Sequence, residues 1–183
     1  MKIRAVTILA DIPVRSQETE LARLGHFARM AREAFATADI EVQTIRLATS
    51  LLREYSPAKS DVSWAERAVA LETACIAAGF EYLSLGPASR DVWPQVIEIL
   101  QATTAVLATV EIVDLRRGVV QGEAITIAAQ IMRQAAQIEA GFGNLRFAAL
   151  ANVPPGTPFF PAADHQGGPP RFALAMEAAD LAL

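Results

Sequence analysis

Five short apolar runs, several of them rich in β-branched residues, alternate along the chain with stretches of helical periodicity. Such alternation is typical of a parallel sheet with right-handed crossovers and helices packed outside it. The pattern predicts strands over residues 3–10, 40–47, 82–85, 105–113 and 145–151. It predicts helices over residues 17–37, 64–78, 91–101, 123–140 and 172–183. We therefore expect residues 1–183 to form a single α/β domain of five βα units with parallel strands, which fits both open sheets and barrels.

The first two helices have clear local signatures. The first places its apolar side chains on one face, at Leu21, Leu24, Ala28, Ala31 and Phe35. The second follows Ser63 and Glu66, which predict a capping box at its N-terminus. Gly79 predicts the end of that helix, because glycine readily adopts the left-handed conformation that closes a helix.

Composition and charge exclude several classes of protein. Hydrophobic residues make up 52% of the chain and charged residues 20%, which excludes a disordered chain. The net charge is −4 and the sequence has no block of Lys and Arg, so it predicts no positively charged surface that would bind nucleic acid. No apolar run reaches the roughly 18 residues of a membrane span, and the N-terminus resembles a strand rather than a signal peptide. We expect a soluble, cytoplasmic protein that binds neither nucleic acid nor membranes.

The sequence assigns no metal and no cofactor. Cys75 is the only cysteine, which excludes an internal disulfide and any multi-cysteine metal site. His26 and His165 are too far apart in the sequence to form a recognisable metal-binding motif. Gly141 and Gly143 precede a predicted strand instead of following one, so they do not form a dinucleotide fingerprint.

The connection after the fifth predicted strand, residues 153–170, is unusually long and rich in proline and glycine. It holds six of the ten prolines and three of the ten glycines. Loops in βα units usually have about 2–6 residues, and structureless loops above roughly 12–15 residues are usually functional or disordered. Phe159 and Phe160 lie within this segment, which argues against a plain solvated linker. We therefore expect residues 153–170 to cover a site.

Ligands of parallel α/β folds bind beyond the carboxyl ends of the strands, so residues there form the candidate site. Asp11 follows the first predicted strand, Arg46 ends the second, Asn152 ends the fifth, and Thr157 and His165 lie in the long loop. Arginine at this edge suits a carboxylate or phosphate ligand, and His165 or Asp11 can move a proton. The alternative is that polar residues lie at strand ends because loops are solvated.

Arg46 and His165 each have a second interpretation. A charge within a strand is costly unless it is paired. Arg46 therefore either faces a ligand or pairs with Asp11 or Glu111. His165, next to Asp164, either takes part in acid–base chemistry or makes a hydrogen bond that orders the loop. The residues alone leave both alternatives open.

Two long stretches, residues 142–163 and 167–177, carry a resemblance to a known family. The opening residues Met1-Lys2-Ile3-Arg4 and the run Thr44-Ile45-Arg46 contribute to it. The chain resembles the bacterial and archaeal family known as domain of unknown function 711. The resemblance implies candidate functional positions at Arg46, Arg146, Asn152, Thr157 and His165.

The resemblance also implies a fold. Members of the family are more than twice this length and look like the ten-stranded α/β barrel of pyruvate formate-lyase and its glycyl-radical relatives. This chain then corresponds to the N-terminal half of a member and supplies half of such a barrel. The radical chemistry does not carry over, because fold likeness alone assigns no function and the sequence has no adjacent cysteine pair.

We expect the chain to be an enzyme or enzyme subunit that binds a small anionic metabolite at the carboxyl-terminal ends of the strands. In this hypothesis His165 and Asp11 are catalytic, and the ligand is bound by Arg46, Arg146, Asn152 and Thr157. One alternative is a metabolite-binding or regulatory protein without chemistry. The other is an assembly subunit, because a half-barrel has open edges and exposed apolar surface. The expected assembly is a homo-oligomer, or a hetero-oligomer with a chain that supplies the remaining strands.

Overall fold

The computed structural model describes residues 2–54, 62–114 and 117–177. Within these ranges the helices are α1 (Gln17–Thr37), α2 (Leu51–Glu54), α3 (Trp64–Ala78), α4 (Val96–Ala102) and α5 (Gly122–Ala135). The strands are β1 (Lys2–Leu9), β2 (Ile45–Ala48), β3 (Tyr82–Pro87), β4 (Val106–Glu111), β5 (Val113–Asp114), β6 (Val119–Val120), β7 (Phe147–Leu150) and β8 (Arg171–Glu177). None of the described helices is long and apolar enough to cross a membrane.

The main sheet is mixed and curls into a half-barrel, with the strand order β7-β4-β3-β2-β1-β8. The first five strands in this order run parallel to one another, as the alternation of elements predicts. Strand β8 runs antiparallel beside β1, with Leu174 opposite Val6 and Phe172 opposite Ile8. Strands β5 and β6 form a separate two-stranded ribbon. Strands β7 and β8 are therefore the two edges of the main sheet.

The segment 171–177 corrects one prediction, because it forms a strand where a fifth helix is expected from residue 172 onwards. The large side chains of Phe172, Leu174 and Met176 alternate with Ala173 and Ala175. This period of two matches a strand rather than a helix. The pairing partner is β1, a strand far away in the sequence. The rest of the predicted helix, residues 178–183, lies outside the described residues.

Several other boundaries differ from the prediction. The second strand begins at Ile45 rather than at residue 40, and only Val42 of the intervening residues forms an isolated bridge, to Ile3. The fourth predicted helix ends at Ala135 and is followed by a segment, Ile138–Arg146, in which Glu139 and Ala140 have positive φ angles. Helices α1 and α3 match their predicted bounds.

The helices pack on one face of the sheet and form the main core with it. Side chains that alternate along each strand point into this core, so that Ile8, Leu47 and Leu83 are buried there. The capping box of Ser63 and Glu66 fixes the start of α3. Gly79 ends α3 with a φ of 100°.

The loop 153–170 packs on the opposite face of the sheet, which is the inner face of the half-barrel. Its Ala163 is buried against Leu9 and Ala48, whose neighbours in each strand point into the main core. The Ser84 hydroxyl donates a hydrogen bond of 2.5 Å to the carbonyl of Ala163. The loop therefore lies along the inner surface of the sheet and does not extend into solvent beyond the strand ends.

Candidate functional site

A group of polar side chains meets where the carboxyl-terminal ends of β1, β2 and β4 face the long loop. We call this group the rim cluster. Asp11 follows β1, Ser50 and Arg53 follow β2, and Glu111 ends β4. The loop 153–170 adds Asp164 and His165, both of which are buried. The sheet thus brings together side chains that are far apart in the sequence.

Asp11 lies at the centre of the first half of the rim cluster. The Ser50 hydroxyl donates a hydrogen bond of 3.0 Å to Oδ1 of Asp11. Nε2 of His165 lies 3.5 Å from Oδ2 of the same carboxylate. The His165 side chain is 0% exposed, whereas that of Asp11 is 37% exposed. The structure therefore joins the two residues predicted to be catalytic, with Asp11 on the solvent side and His165 behind it.

Arg53 forms the second half of the rim cluster by contacting two carboxylates. Its Nη2 atom lies 2.8 Å from Oε1 of Glu111 and 3.4 Å from Oδ2 of Asp164. Asp164 also accepts a hydrogen bond of 2.8 Å from the backbone N–H of Gly156, and another from the Gln166 side chain. Burial raises the pKa of Asp164, although the hydrogen bonds from Gly156 and Gln166 and the charge of Arg53 act in the opposite direction.

Gly86 allows the end of β3 to approach this region closely. Its φ of 76° lies in the left-handed range, and a Cβ atom there would be 2.6 Å from the carbonyl oxygen of Thr49. The same Cβ would be 3.5 Å from the Cβ of Asp164. A larger residue at position 86 would therefore push apart β2, β3 and the loop that carries Asp164 and His165.

Arg46 lies at the other end of the sheet from the rim cluster, since it is the second residue of β2 and not its last. Its guanidinium carbon lies 5.6 Å from the ring centre of Tyr82 and 5.3 Å from that of Phe160. Its Nε donates a hydrogen bond of 3.0 Å to the Thr44 hydroxyl. The expected position at the carboxyl-terminal edge is wrong, because the second strand begins later than predicted.

Arg146 is buried and holds neighbouring elements of the fold together. Its Nη2 donates a hydrogen bond of 2.8 Å to the carbonyl of Leu100, near the end of α4. Its Nη1 lies 3.4 Å from both the Thr103 hydroxyl and the carbonyl of Val106. Burial lowers the pKa of Arg146. Arg146 therefore ties the end of α4 to the start of β4 and lies apart from the rim cluster.

The two remaining predicted ligand residues shape the loop around the site. Asn152 is exposed and has a φ of 55°, a conformation that asparagine tolerates better than most residues. Thr157 is half-buried, and its carbonyl accepts a hydrogen bond of 3.2 Å from the backbone N–H of Asp164. In the described part of the chain, neither side chain forms a hydrogen bond with the rim cluster, so the structure does not bring all six predicted site residues together.

Arg53 is the rim residue that the sequence pattern missed. It lies in α2, a four-residue helix that is too short to show a helical period. Ser50 and Glu111 are polar residues at strand ends, but the sequence contains no information that pairs them with Asp11 and Arg53. Asp164 neighbours His165, and its burial follows only from the path of the loop. In the part of the chain that the structure describes, no group of three or more His, Cys, Asp or Glu residues is arranged to hold a metal ion.

Comparison with known proteins identifies the family of the chain. No protein with a curated description matches it. The family model described as Uncharacterised ACR (DUF711) matches residues 1–183, and thus covers the strands, the long loop and the rim cluster. This match confirms the resemblance seen in residues 142–163 and 167–177. The chain therefore belongs to the DUF711 family, whose function is unknown.

Proposed function

We propose that the rim cluster is an enzyme active site in which Asp11 exchanges a proton with a small polar substrate. The observation that carries the proposal is the distance of 3.5 Å between the Asp11 carboxylate and Nε2 of a fully buried His165. Among the described residues, neither ring nitrogen of His165 has a hydrogen-bond partner of good geometry. An unpaired buried polar atom costs about 1–3 kcal/mol, which a purely loop-ordering histidine does not explain.

The difference in exposure between the two side chains supports a division of roles. Asp11 is accessible from solvent, so it is the catalytic residue that touches the substrate. His165 lies behind Asp11 and acts as a positioning residue, because its Nε2 atom faces the Asp11 carboxylate and can orient it. Catalytic hydrogen bonds often shorten only when a substrate binds, which agrees with the long separation between the two groups.

The charge of the rim cluster bears on the substrate. Among the described residues, the rim cluster holds three carboxylates, those of Asp11, Glu111 and Asp164, and one guanidinium, that of Arg53. The Nη2 atom of Arg53 already contacts two of them. This balance disfavours the anionic metabolite that the sequence pattern suggests for this edge of the sheet. It supports a neutral or cationic polar substrate, for which the carboxylates supply hydrogen-bond acceptors.

Proton transfer can be tested by deuterium incorporation. The protein is incubated in D2O with a panel of small neutral and cationic metabolites, and exchange and product formation are followed by NMR. We expect exchange or turnover of one compound class by the wild type. The variant Asp11→Asn should reduce that rate by about 100-fold or more, because general acid–base groups contribute factors of roughly 10²–10⁴. The variant His165→Gln should reduce the rate less and change its dependence on pH.

Asp39→Asn is the matched control, because it removes a carboxylate from an exposed turn away from the rim cluster. Its rate should equal that of the wild type. Saturable binding of a compound without any exchange or product would contradict the proposal and favour a binding protein. An Asp11→Asn variant that is as active as the wild type would also contradict it.

A second candidate function, assembly, has its own support at strand β8. Phe172, Leu174 and Met176 leave an exposed apolar face on this edge strand. The Phe172 ring also lies 5.4 Å from that of Phe27, which is itself exposed. Exposed apolar edge strands pair readily with further strands. We propose that β8 joins a second copy of the chain, or a chain that supplies further strands.

Native mass spectrometry tests the assembly. We expect a mass larger than that of one chain, and we expect Leu174→Glu to reduce it to the mass of one chain. Val62→Glu, which changes an exposed apolar residue elsewhere, is the control and should keep the larger mass. A wild type that remains a single chain at the concentration in the cell would contradict this candidate.

A further inference from the structure

A cavity lies on the inner face of the sheet, at the end opposite the rim cluster. Its volume is about 460 Å³, within the range of small-molecule sites. Residues at the beginnings of β1, β2 and β3 line it, and so do residues of the long loop and of the segment before β7. The side chains that the argument uses are Arg4, Arg46, Tyr82, Leu145 and Phe160.

Arg46 presents a free hydrogen-bonding edge to this cavity. Within the described residues, its only side-chain hydrogen bond runs from Nε to the Thr44 hydroxyl, so both terminal nitrogens are without an acceptor. The rings of Tyr82 and Phe160 lie at cation–π distance from the guanidinium and restrict its orientation. A restrained guanidinium with free terminal nitrogens matches the two oxygens of a carboxylate.

The charges around Arg46 also favour an anion. Burial is the largest cause of the lowered pKa of Arg46, and the charge of Arg4, which lines the same cavity, acts in the same direction. The charge of Glu81 acts in the opposite direction. Glu81 is itself engaged, because it lies 2.5 Å from Arg32 and accepts a hydrogen bond from the backbone N–H of Ile45. Glu81 does not line the cavity; the carboxylate in the lining is that of Glu139, which interacts with Arg146.

Apart from Thr104, Glu139 and Arg146, whose guanidinium donates a hydrogen bond to the carbonyl of Leu100, the remaining lining is apolar. Leu107, Phe142, Leu145 and Phe160 all face the cavity, and Phe142 and Leu145 are largely exposed. These four side chains give no hydrogen bonds to the further oxygens of a phosphate, whereas they can bury a hydrocarbon or aromatic group. The lining therefore suits an anion that has one charged end and one apolar end.

We infer that this cavity binds a small organic carboxylate with an apolar body. The terminal nitrogens of Arg46 bind the carboxylate, with Arg4 adding positive charge, and the apolar side chains hold the body of the ligand. This site is independent of the rim cluster and of the proton transfer proposed there, since the two lie at opposite ends of the strands. It gives Arg46 a ligand-binding role at a different place from the one the sequence pattern predicts.

The test uses benzoate as the probe, with its affinity measured by NMR titration or calorimetry. Benzamide has the same shape without the charge, and acetate has the charge without the ring. We expect benzoate to bind at least about tenfold more tightly than either compound, since a hydrogen bond to a charged group and a buried ring each contribute 1.4 kcal/mol or more. This comparison uses only the wild-type protein and does not depend on whether any variant folds.

Variants then assign the binding to Arg46. Arg46→Gln should weaken benzoate binding at least about tenfold, and Arg46→Lys should restore part of the loss because it keeps the charge. Arg29→Gln removes an exposed arginine of α1 and should leave the affinity unchanged. The inference fails if benzamide binds as tightly as benzoate, or if Arg46→Gln binds benzoate like the wild type. Inorganic phosphate that binds as tightly as benzoate would also overturn it.

Discussion

The carboxyl of Asp164 is a buried titratable group whose ionisation opposes folding. Because burial raises its pKa, the folded protein keeps this proton at a pH at which the unfolded chain has released it. We therefore expect the free energy of unfolding of the wild type to fall, relative to Asp164→Asn, as the pH rises from the ordinary aspartate value of 3.8 through the raised pKa. Urea unfolding at a series of pH values measures this difference.

Asp39→Asn is the control for Asp164→Asn, because it removes an exposed carboxylate. A wild type that gained stability over Asp164→Asn across the same rise in pH would show that the hydrogen bonds from Gly156 and Gln166 outweigh burial. The prediction would then be wrong in sign.

Cys75 is buried in the main core, and its thiol should be inert in the folded protein. Burial raises the pKa of Cys75 to about 12. At pH 8 only about one thiol in ten thousand is then ionised, and the thiolate is the form that reacts with alkylating agents. We expect iodoacetamide to label the protein only after unfolding, as measured by the mass of the intact chain. Rapid labelling under native conditions would show that α3 opens readily.

Among the elements, helices α1 and α3 are in unusually close contact at Gly25. A Cβ atom at Gly25 would lie 2.4 Å from the carbonyl oxygen of Ala78. Alanine normally stabilises a helix interior by about 0.5–1 kcal/mol relative to glycine. We expect the opposite sign here, a loss of about 1–3 kcal/mol for Gly25→Ala, because the two helices must move apart. Thermal or urea unfolding measures the change.

Gly122→Ala is the matched comparison for Gly25→Ala, since a Cβ atom at Gly122 would meet nothing within 4 Å. It should leave the free energy of unfolding unchanged or raise it slightly. If Gly25→Ala also stabilised the protein, the close contact of α1 and α3 would be excluded.

The elements that could be predicted from the sequence are those whose information is local. Helix α3 begins at a capping box and ends at Gly79, and both features are visible in consecutive residues. The sequence predicts a helix where β8 forms, because the pairing of β8 with β1 is remote. The alternation of Phe172, Leu174 and Met176 with alanines nevertheless indicates a strand. Local preference for helix in an alanine-rich segment was overridden by the open edge of β1.

The candidate site could also be predicted only where its information is local in the sequence. Asp11 and His165 could be chosen from the sequence because one follows a strand and the other lies in a long loop. Their contact could not be predicted, since it depends on how the loop runs along the inner face of the sheet. The sequence places Arg46 at the wrong end of the second strand, because the residues before Ile45 resemble a strand but mostly lie outside the sheet.

For the molecule as a whole, the loop 153–170 connects the two edge strands β7 and β8. It is attached to the middle of the sheet by the hydrogen bond from Ser84 to the carbonyl of Ala163. We expect Ser84→Ala to increase the rate of chymotrypsin cleavage after the exposed Phe159 by about fivefold, because one hydrogen bond contributes about 1 kcal/mol. Limited proteolysis followed by mass spectrometry measures the rate.

Ser89→Ala removes a hydroxyl from the connection after β3 that, among the described residues, forms no hydrogen bond with the loop 153–170, and it serves as the control. Its cleavage rate should match that of the wild type. Equal rates for Ser84→Ala and the wild type would show that Ala163 and its apolar neighbours hold the loop without the hydroxyl.

The pairing of the first strand with β8 has a consequence for how the protein is made. Strand β1 leaves the ribosome well before β8, so its outer edge finds its partner only after residues 171–177 have been synthesised. At about 5–20 residues per second, this interval lasts on the order of ten to thirty seconds. During translation the nascent chain therefore carries an unpaired strand edge. A chaperone that shields this edge must act before β8 is synthesised.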